Sequence, residues 1–204
     1  MAKVFKILAR FIGITFEWIL IALILFAFFI RTSAVQTFLA QKATDFLSNE
    51  LNTTIHIDRL AIVFIDRVAL DGVLVLDQKK DTLAYINTLY VTLDELNIKK
   101  NFLKLDKAEL DGGTIHLNRD KITGDYNYWF LTDYFSSNKK KSGKEPMTVS
   151  LNNLKLTDVN FKYDDYRKYY SISGMDYDHL DLKNINLNIQ DFKSEKGILS
   201  ATIK

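Results

Sequence analysis

The stretch LDGVLVLD, residues 70–77, is the first of four related eight-residue segments in this chain. It is followed by LDGGTIHL at 110–117, LTDVNFKY at 156–163 and LKNINLNI at 182–189. Apolar and polar residues alternate in each segment, which is typical of a β-strand with one apolar face. The alternation slips by one residue at the same place in every copy. The segments therefore predict four strands that share one irregularity.

The slip falls on residue types that tolerate a left-handed backbone. In a flat strand, a slip would move every later apolar side chain to the other face of the sheet. A β-bulge absorbs one extra residue, bends the strand and keeps the apolar side chains on one face. Glycine, asparagine and aspartate adopt the required backbone conformation most readily. The predicted bulge-forming residues are Gly72, Gly112, Asp158 and Asn184.

The four bent strands, with plainer alternating strands such as 55–62 between them, predict a long, curved and mostly antiparallel sheet. Only one further helix is predicted after residue 52, around 125–135, and one short helix cannot cover such a sheet. The apolar face must therefore meet another part of the sheet, a partner chain or lipid. The residues that resume the alternation after each slip are predicted to line the groove that this face forms, and they are Val73, Val75, Ile115, Leu117, Val159, Phe161, Leu187 and Ile189.

The N-terminal segment is long and apolar enough to cross a membrane. Residues 11–30 carry one charge, Glu17, and a helix of this length spans about 30 Å, the thickness of a bilayer's hydrocarbon core. Lys3, Lys6 and Arg10 precede it. Because basic residues flank membrane spans on the cytoplasmic side, the N-terminus is expected to be cytoplasmic and the rest of the chain to be exported.

A cleaved signal peptide is the alternative to an anchor. The residues TSA at 32–34 resemble a cleavage site, but signal-peptide apolar regions are shorter, and Arg31 occupies a position where a small neutral residue is expected. An uncleaved anchor over 1–31 is the favoured prediction. An amphipathic helix over 32–52 and a β-trough over 53–204 follow, and the trough contains a basic loop at 138–147.

The helix after the anchor has a predicted start and a predicted packing face. Ser33 and Gln36 have the spacing of a capping box. Apolar residues then recur at helical intervals from Val35 to Leu51, with polar residues opposite. Charges of both signs lie on the polar side, so we expect the helix to pack on the sheet rather than to lie on the membrane surface.

Composition restricts the chemistry available to this chain. It has no cysteine, and its formal net charge is only +2, so thiol chemistry is excluded and nucleic-acid binding is not predicted. His56 and His116 are out of phase with their apolar neighbours and are expected to face solvent. The cluster Asp176, Asp178 and Asp181 lacks the glycine and glutamate of a calcium loop. We predict no metal site, no cofactor and no enzymatic activity.

The order of these segments resembles the N-terminal region of TamB proteins of the Bacteroidota type, within the AsmA-like group of inner-membrane-anchored proteins. The resemblance lies in the anchor with RTSAVQTFLAQKATDFLS at 31–48, then IHIDRLAIVFIDRVALDGVLVLDQKKDTLAYINTLYV at 55–91 and GMDYDHLDLKNINLNI at 174–189. It covers essentially the whole chain. Members of the family are much longer, so the chain resembles the anchored base of such a protein and is expected to continue beyond Lys204.

The resemblance implies an open β-taco or trough, similar to that of the chorein-like lipid-transfer proteins, that crosses the periplasm from the inner membrane. It also implies an Omp85-class outer-membrane barrel partner, which would bind a C-terminal region that this sequence lacks. Two functions follow. The apolar groove carries phospholipid acyl chains toward the outer membrane as part of a translocation and assembly module, or the protein is a scaffold or chaperone for outer-membrane β-barrel assembly and secretion. The single apolar face favours the first.

Overall fold

The computed structural model describes residues 2–64, 66–97, 102–136, 148–195 and 198–203, and the basic loop predicted at 138–147 lies outside them. The helices of the described part are α1 (Ala2–Ile30), α2 (Ser33–Leu51) and α3 (Trp129–Ser136). Its strands are β1 (Ile55–Ile62), β2 (Arg67–Leu76), β3 (Thr82–Asn97), β4 (Phe102–Arg119), β5 (Thr148–Asp165), β6 (His179–Glu195) and β7 (Ile198–Ile203).

All of these strands belong to one open sheet, in the order β1-β2-β3-β4-β5-β6-β7. Neighbouring strands are antiparallel except β4 and β5, which are parallel and whose connection contains α3. β1 and β7 lie at opposite edges and are not paired with each other, so the sheet does not close. The predicted fold class, mostly β with an N-terminal apolar helix, is confirmed at this level.

The backbone kinks at each of the four repeated segments. Gly72, Gly112, Asp158 and Asn184 have φ angles of 61°, 68°, 52° and 55°. In this left-handed region the backbone of most residues is strained, and glycine, asparagine and aspartate tolerate it best. The apolar side chains keep one face across the kink, since Leu70 before it and Val73 after it belong to the same packed group.

The pairing at the kink differs from the expected series of bulges. Asp58 lies opposite Gly72, and Asn87 lies opposite Gly112, with no change of register from β1 to β5 at this level. β1 and β3, predicted as plain strands, contain the same slip. When neighbouring strands take an extra residue at the same level, the ladder stays in register and the whole sheet kinks along one line.

Register shifts occur at the kink only between β5 and β6 among the described strands. Two residues of β5 between Leu156 and Val159 oppose one residue of β6, and the reverse holds between Val159 and Phe161. These two shifts cancel, so the apolar positions of both strands stay aligned on either side. Asn186 Oδ1 accepts a hydrogen bond from the Asp158 backbone N–H at 3.2 Å, which satisfies an amide that the shift leaves outside the ladder.

Helix α2 runs along β1 and is fixed at its C-terminal end. The Ser48 hydroxyl accepts a hydrogen bond from the Ile55 backbone N–H at 3.0 Å, and Asn52 ends the helix in the left-handed conformation. The predicted capping box at Ser33 is wrong. Thr32 is the N-cap residue, and its hydroxyl donates to the Phe29 carbonyl instead of capping α2.

The packed core lies between α2 and the first three strands, as expected for a helix that packs on the sheet. Its buried members are Ile55, Ile57, Val73 and Ile86. The residues packed around them come from α2 and from β2 to β4, and they are Ala43, Leu47, Leu51, Leu70, Val75, Leu89, Leu110 and Ile115. The helix therefore covers only one side of the apolar face.

Candidate functional site

The apolar face is built from rows of side chains that cross six strands. On one side of the kink, each strand from β1 to β6 contributes a leucine to a single row. Because successive members are Cα partners across the ladder, their side chains are direct neighbours on the face. The row is Leu60, Leu70, Leu89, Leu110, Leu156 and Leu187.

Two further rows lie on the other side of the kink. The first is Ile57, Val73, Ile86, Gly113, Val159 and Ile185. The second is Ile55, Val75, Ala84, Ile115, Phe161 and Leu182. The alternation of each strand and its kink together give one face that is apolar on both sides of the bend.

The eight predicted lining residues fall into three groups that differ in burial. Val73 is buried in the core under α2, and Val159 is also buried, so neither has surface to offer a ligand. Val75 and Ile115 pack against that core and are partly exposed. The other four lie on β4 to β6, are partly exposed and are outside the α2 core cluster, namely Leu117, Phe161, Leu187 and Ile189.

Leu182 is a lining residue that the sequence prediction missed. It pairs with Phe161 at the outer end of its row, and 41% of its surface is exposed. The sequence contained the signal, because Leu180 and Leu182 alternate in phase before the slip at Asn184. Among the described residues, the partly exposed region of the apolar face therefore extends to β6.

The opposite face of the sheet is charged. Glu109 binds the Arg67 guanidinium at 2.6 Å and the Lys107 ammonium at 2.9 Å. The hydrogen bond from Lys107 is the main reason that the pKa of Glu109 is lowered. The Arg67 guanidinium also lies 4.7 Å from the centre of the Tyr90 ring. This face of the sheet therefore carries ion pairs, whereas the opposite face is apolar.

His116 does not simply face solvent, as the sequence predicted. It lies on the polar face but is partly buried, with Nε2 2.8 Å from Oδ2 of Asp164. Lys162 Nζ lies 2.9 Å from the same oxygen, and Asp164 is only 2% exposed. Forty-eight residues separate His116 from Asp164, so no local pattern could have paired them. His56 is exposed, as predicted.

We expect Asp164 to make the stability of the sheet sensitive to acid. Burial alone would raise the pKa of Asp164, but hydrogen bonds from Lys162 and His116 outweigh burial, and the pKa is lowered. A lowered folded-state pKa stabilises the protein above the unfolded value of about 3.9, and this stabilisation is lost as pH falls through the folded value. Urea unfolding between about pH 6 and pH 3 should show this loss.

The variant Asp164→Asn should flatten that pH dependence and lower stability at about pH 6, because it removes the buried carboxylate from the Lys162 ammonium and the His116 ring. The exposed carboxylate of Asp181, on the neighbouring strand, provides the control, and Asp181→Asn should keep the wild-type curve. An Asp164→Asn curve parallel to the wild type would show that this carboxylate does not govern acid stability.

The acidic cluster at 176–181 has a structural role in the loop before β6. Asp176 accepts hydrogen bonds from the backbone N–H groups of Ser171, Asp178 and His179. The bond from Ser171 is the main reason that the pKa of Asp176 is lowered. Its Oδ2 also lies 3.0 Å from His179 Nδ1, and the His179 ring stacks on Tyr170. The carboxylate of Asp176 therefore organises the loop.

The first helix fits the membrane prediction by length and composition. Residues 10–30 have a mean hydropathy of 2.4, and none of this segment is buried against the rest of the protein. A single membrane span and a signal sequence both have these properties.

Comparisons of the chain with protein-family models, with curated proteins and with solved structures find no significant match.

Proposed function

We propose that this protein is anchored in the bacterial inner membrane by α1 and that its apolar sheet face carries phospholipid acyl chains across the periplasm. The apolar face of β4 to β6 is the acyl-chain groove, and it forms the first part of a β-taco of the chorein-like kind. The observation that carries the proposal is the single apolar face. Six strands keep their apolar side chains on this face on both sides of the kink, and α2 packs over only part of it.

The dimensions of the open region support an acyl chain as its ligand. On β5 the apolar positions run from Leu154 to Tyr163, a distance of about 30 Å at about 3.3 Å per residue. One leaflet of hydrocarbon is about 15 Å thick, half of a bilayer core. A lipid tail lying along β5 would therefore meet partly exposed apolar side chains on both sides of the buried Val159.

The difference between the two faces supports transport through an aqueous compartment. The charged face carries ion pairs such as Arg67 with Glu109 and Lys162 with Asp164 and suits contact with water. The half-exposed leucines and Phe161 on the other face need an apolar partner. Lys3, Lys6 and Arg10 before the span support a cytoplasmic N-terminus and a periplasmic sheet.

The wider setting follows from the resemblance to TamB proteins. We propose that the chain belongs to a translocation and assembly module that supplies lipid to the outer membrane, with an Omp85-class barrel as its partner there. A scaffold for nascent outer-membrane β-strands is the second candidate. The open sheet favours it, because the edge strands of a sheet that does not close can pair with an incoming strand.

Lipid analysis of three purified proteins tests the proposal. The full chain, Phe161→Glu and Thr114→Glu are extracted in the same detergent, and bound phospholipid is measured by mass spectrometry. We expect Phe161→Glu to lose at least half of the bound lipid, because a carboxylate in the groove repels acyl chains. Thr114 is exposed on the opposite face, so Thr114→Glu should retain the wild-type amount.

Lipid bound around α1 is the same in all three proteins and cancels in this comparison. Equal lipid in wild type and in folded Phe161→Glu would contradict the groove. The scaffold would then be preferred, and it predicts that a peptide with an outer-membrane β-strand sequence binds along an edge of the sheet.

A further inference from the structure

The turn between β1 and β2 presents two large apolar side chains to the exterior. Val63 is 44% exposed and Phe64 is 64% exposed. The turn is held by hydrogen bonds, since the Val63 and Phe64 backbone N–H groups both donate to the Arg67 carbonyl, at 2.9 and 3.1 Å. The Asp66 carbonyl also accepts a bond from the Leu93 N–H at 2.7 Å. These hydrogen bonds therefore hold the backbone of Val63 and Phe64 in a position that leaves both side chains exposed.

This turn lies at the end of the apolar helix. Arg31 directly follows Ile30, the last residue of α1, and its Nη2 donates to the Val63 carbonyl at 3.3 Å. In a membrane-spanning helix of this length, the last apolar residue lies at the boundary of the hydrocarbon core. The hydrogen bond from Arg31 therefore holds the turn at the depth of that boundary.

We infer that the β1–β2 turn is seated in the anchoring bilayer, with Val63 and Phe64 inserted at the boundary between headgroups and acyl chains. This inference rests on the proposed function, because it requires α1 to span a membrane. Aromatic and apolar residues beside a basic residue suit this zone, where Phe64 meets acyl chains and Arg31 meets phosphates. The occupant of the patch is the lipid of the anchoring membrane.

Seating the turn would bring the apolar face to the membrane surface. Ile62 and Val68 are Cα partners, and they form the last apolar pair of β1 and β2 before the turn. Val68 continues through Val91 and Ala108 to the rows on β5 and β6. An acyl chain that leaves the bilayer at Phe64 would therefore meet the apolar face directly, which makes the turn an entry point for lipid.

Fluorescence quenching measures the depth of the turn. The chain has no cysteine, so single cysteines label cleanly with bimane. Phe64→Cys, Leu25→Cys in α1 and Ile172→Cys are each reconstituted as full chains in nanodiscs of phosphatidylethanolamine and phosphatidylglycerol. Ile172 is fully exposed in the loop after β5, at the opposite end of the strands from the turn. Lipids with doxyl groups near the headgroup or in mid-chain report on membrane contact, and iodide reports on water.

We expect the shallow doxyl lipid to quench the Phe64 label at least twofold more than the Ile172 label. Iodide should quench the Ile172 label more than the Phe64 label. The Leu25 label should respond to the mid-chain doxyl lipid. A Leu25 label that no lipid quenches would overturn the anchor and with it the proposed function. A lipid-quenched Leu25 label together with a Phe64 label quenched only by iodide, or by neither agent, would overturn the seating alone.

Discussion

A photo-crosslinking amino acid at Phe161 should capture phospholipid when the full chain is irradiated in membranes. Phe161 is partly exposed in the uncovered part of the apolar face, between Ile115 and Leu182 in its row. If acyl chains occupy this region, they are its nearest neighbours outside the sheet. Positions 115 and 187 should capture lipid in the same way, and mass spectrometry of the crosslinked products identifies it.

The control positions lie on the opposite face. Leu74, His116 and Lys162 are out of phase with the apolar positions of their strands, and the structure pairs His116 directly with Lys162 across β4 and β5. Both side chains contact the buried carboxylate of Asp164, so replacing them disturbs the sheet. Thr114 and Tyr85 are exposed Cα partners on that face and are the cleaner controls. Capture of lipid at equal yield on both faces would show that the label meets membrane lipid nonspecifically.

A charge at two positions of the same face separates the open groove from the closed core. Val73→Glu buries an unpaired carboxylate among Ile55, Ile57 and Ile86, which costs several kcal/mol and should prevent folding. Phe161→Glu leaves its carboxylate with access to water, so the protein should remain folded. Circular dichroism and thermal unfolding measure both. If Phe161→Glu unfolded as completely as Val73→Glu, the face on β5 would be an ordinary core.

The second large effect is expected at Gly113, beside the kink. Its φ is 139°, and a Cβ there would lie 2.3 Å from the Tyr85 carbonyl oxygen and 2.9 Å from the Ile86 Cα. Both are backbone atoms of β3, so no side-chain rotation relieves the clash. Gly113→Ala should lower the free energy of unfolding by about 3 kcal/mol or more, through backbone strain and overpacking together. Urea unfolding measures the loss.

Substitutions at two other glycines separate the backbone strain from the overpacking that together destabilise Gly113→Ala. Gly174 has φ 79°, and a Cβ added there would have no neighbour within 4 Å, so Gly174→Ala should cost only the strain of about 1 kcal/mol. At Gly72 the obstacle is the Asp58 side chain, 1.8 Å from the Cβ position. Adding Asp58→Ala to Gly72→Ala should therefore recover much of the loss. A Gly113→Ala variant as stable as Gly174→Ala would contradict the close approach of β3 and β4.

Local pattern predicted the kink because its cause is local. The phase of apolar residues around Gly72 and Asn184 requires one extra residue, and each residue type permits a positive φ. The slips at Asp58 and Asn87 are present in the same alternation but were not predicted, because neither residue belongs to one of the four repeated segments. Neither residue has a positive φ. Their role appears only when strands are paired.

The candidate site was also predicted only in part from the sequence. The alternation of apolar residues on each side of the slip placed Phe161 and Val73 on one face, because side-chain direction in a strand has period two. The alternation could not distinguish them, although Val73 is buried and Phe161 is partly exposed. That difference depends on where α2 lies, and α2 is fixed by contacts such as that of Ser48 with Ile55.

The sequence by itself determined the apolar first helix, the strands, their common apolar face and the positive φ of the four predicted residues at the kink. Each of these depends on residues a few positions apart, where periodicity and backbone preference act directly. Only the tertiary structure decided that Asp58, Gly72, Asn87 and Gly112 align into one kink line and that Asp164 is held between His116 and Lys162. These features depend on strand order and register, which bring together residues that are distant in the chain. The burial of Val73 depends in addition on α2, which packs over one part of the apolar face.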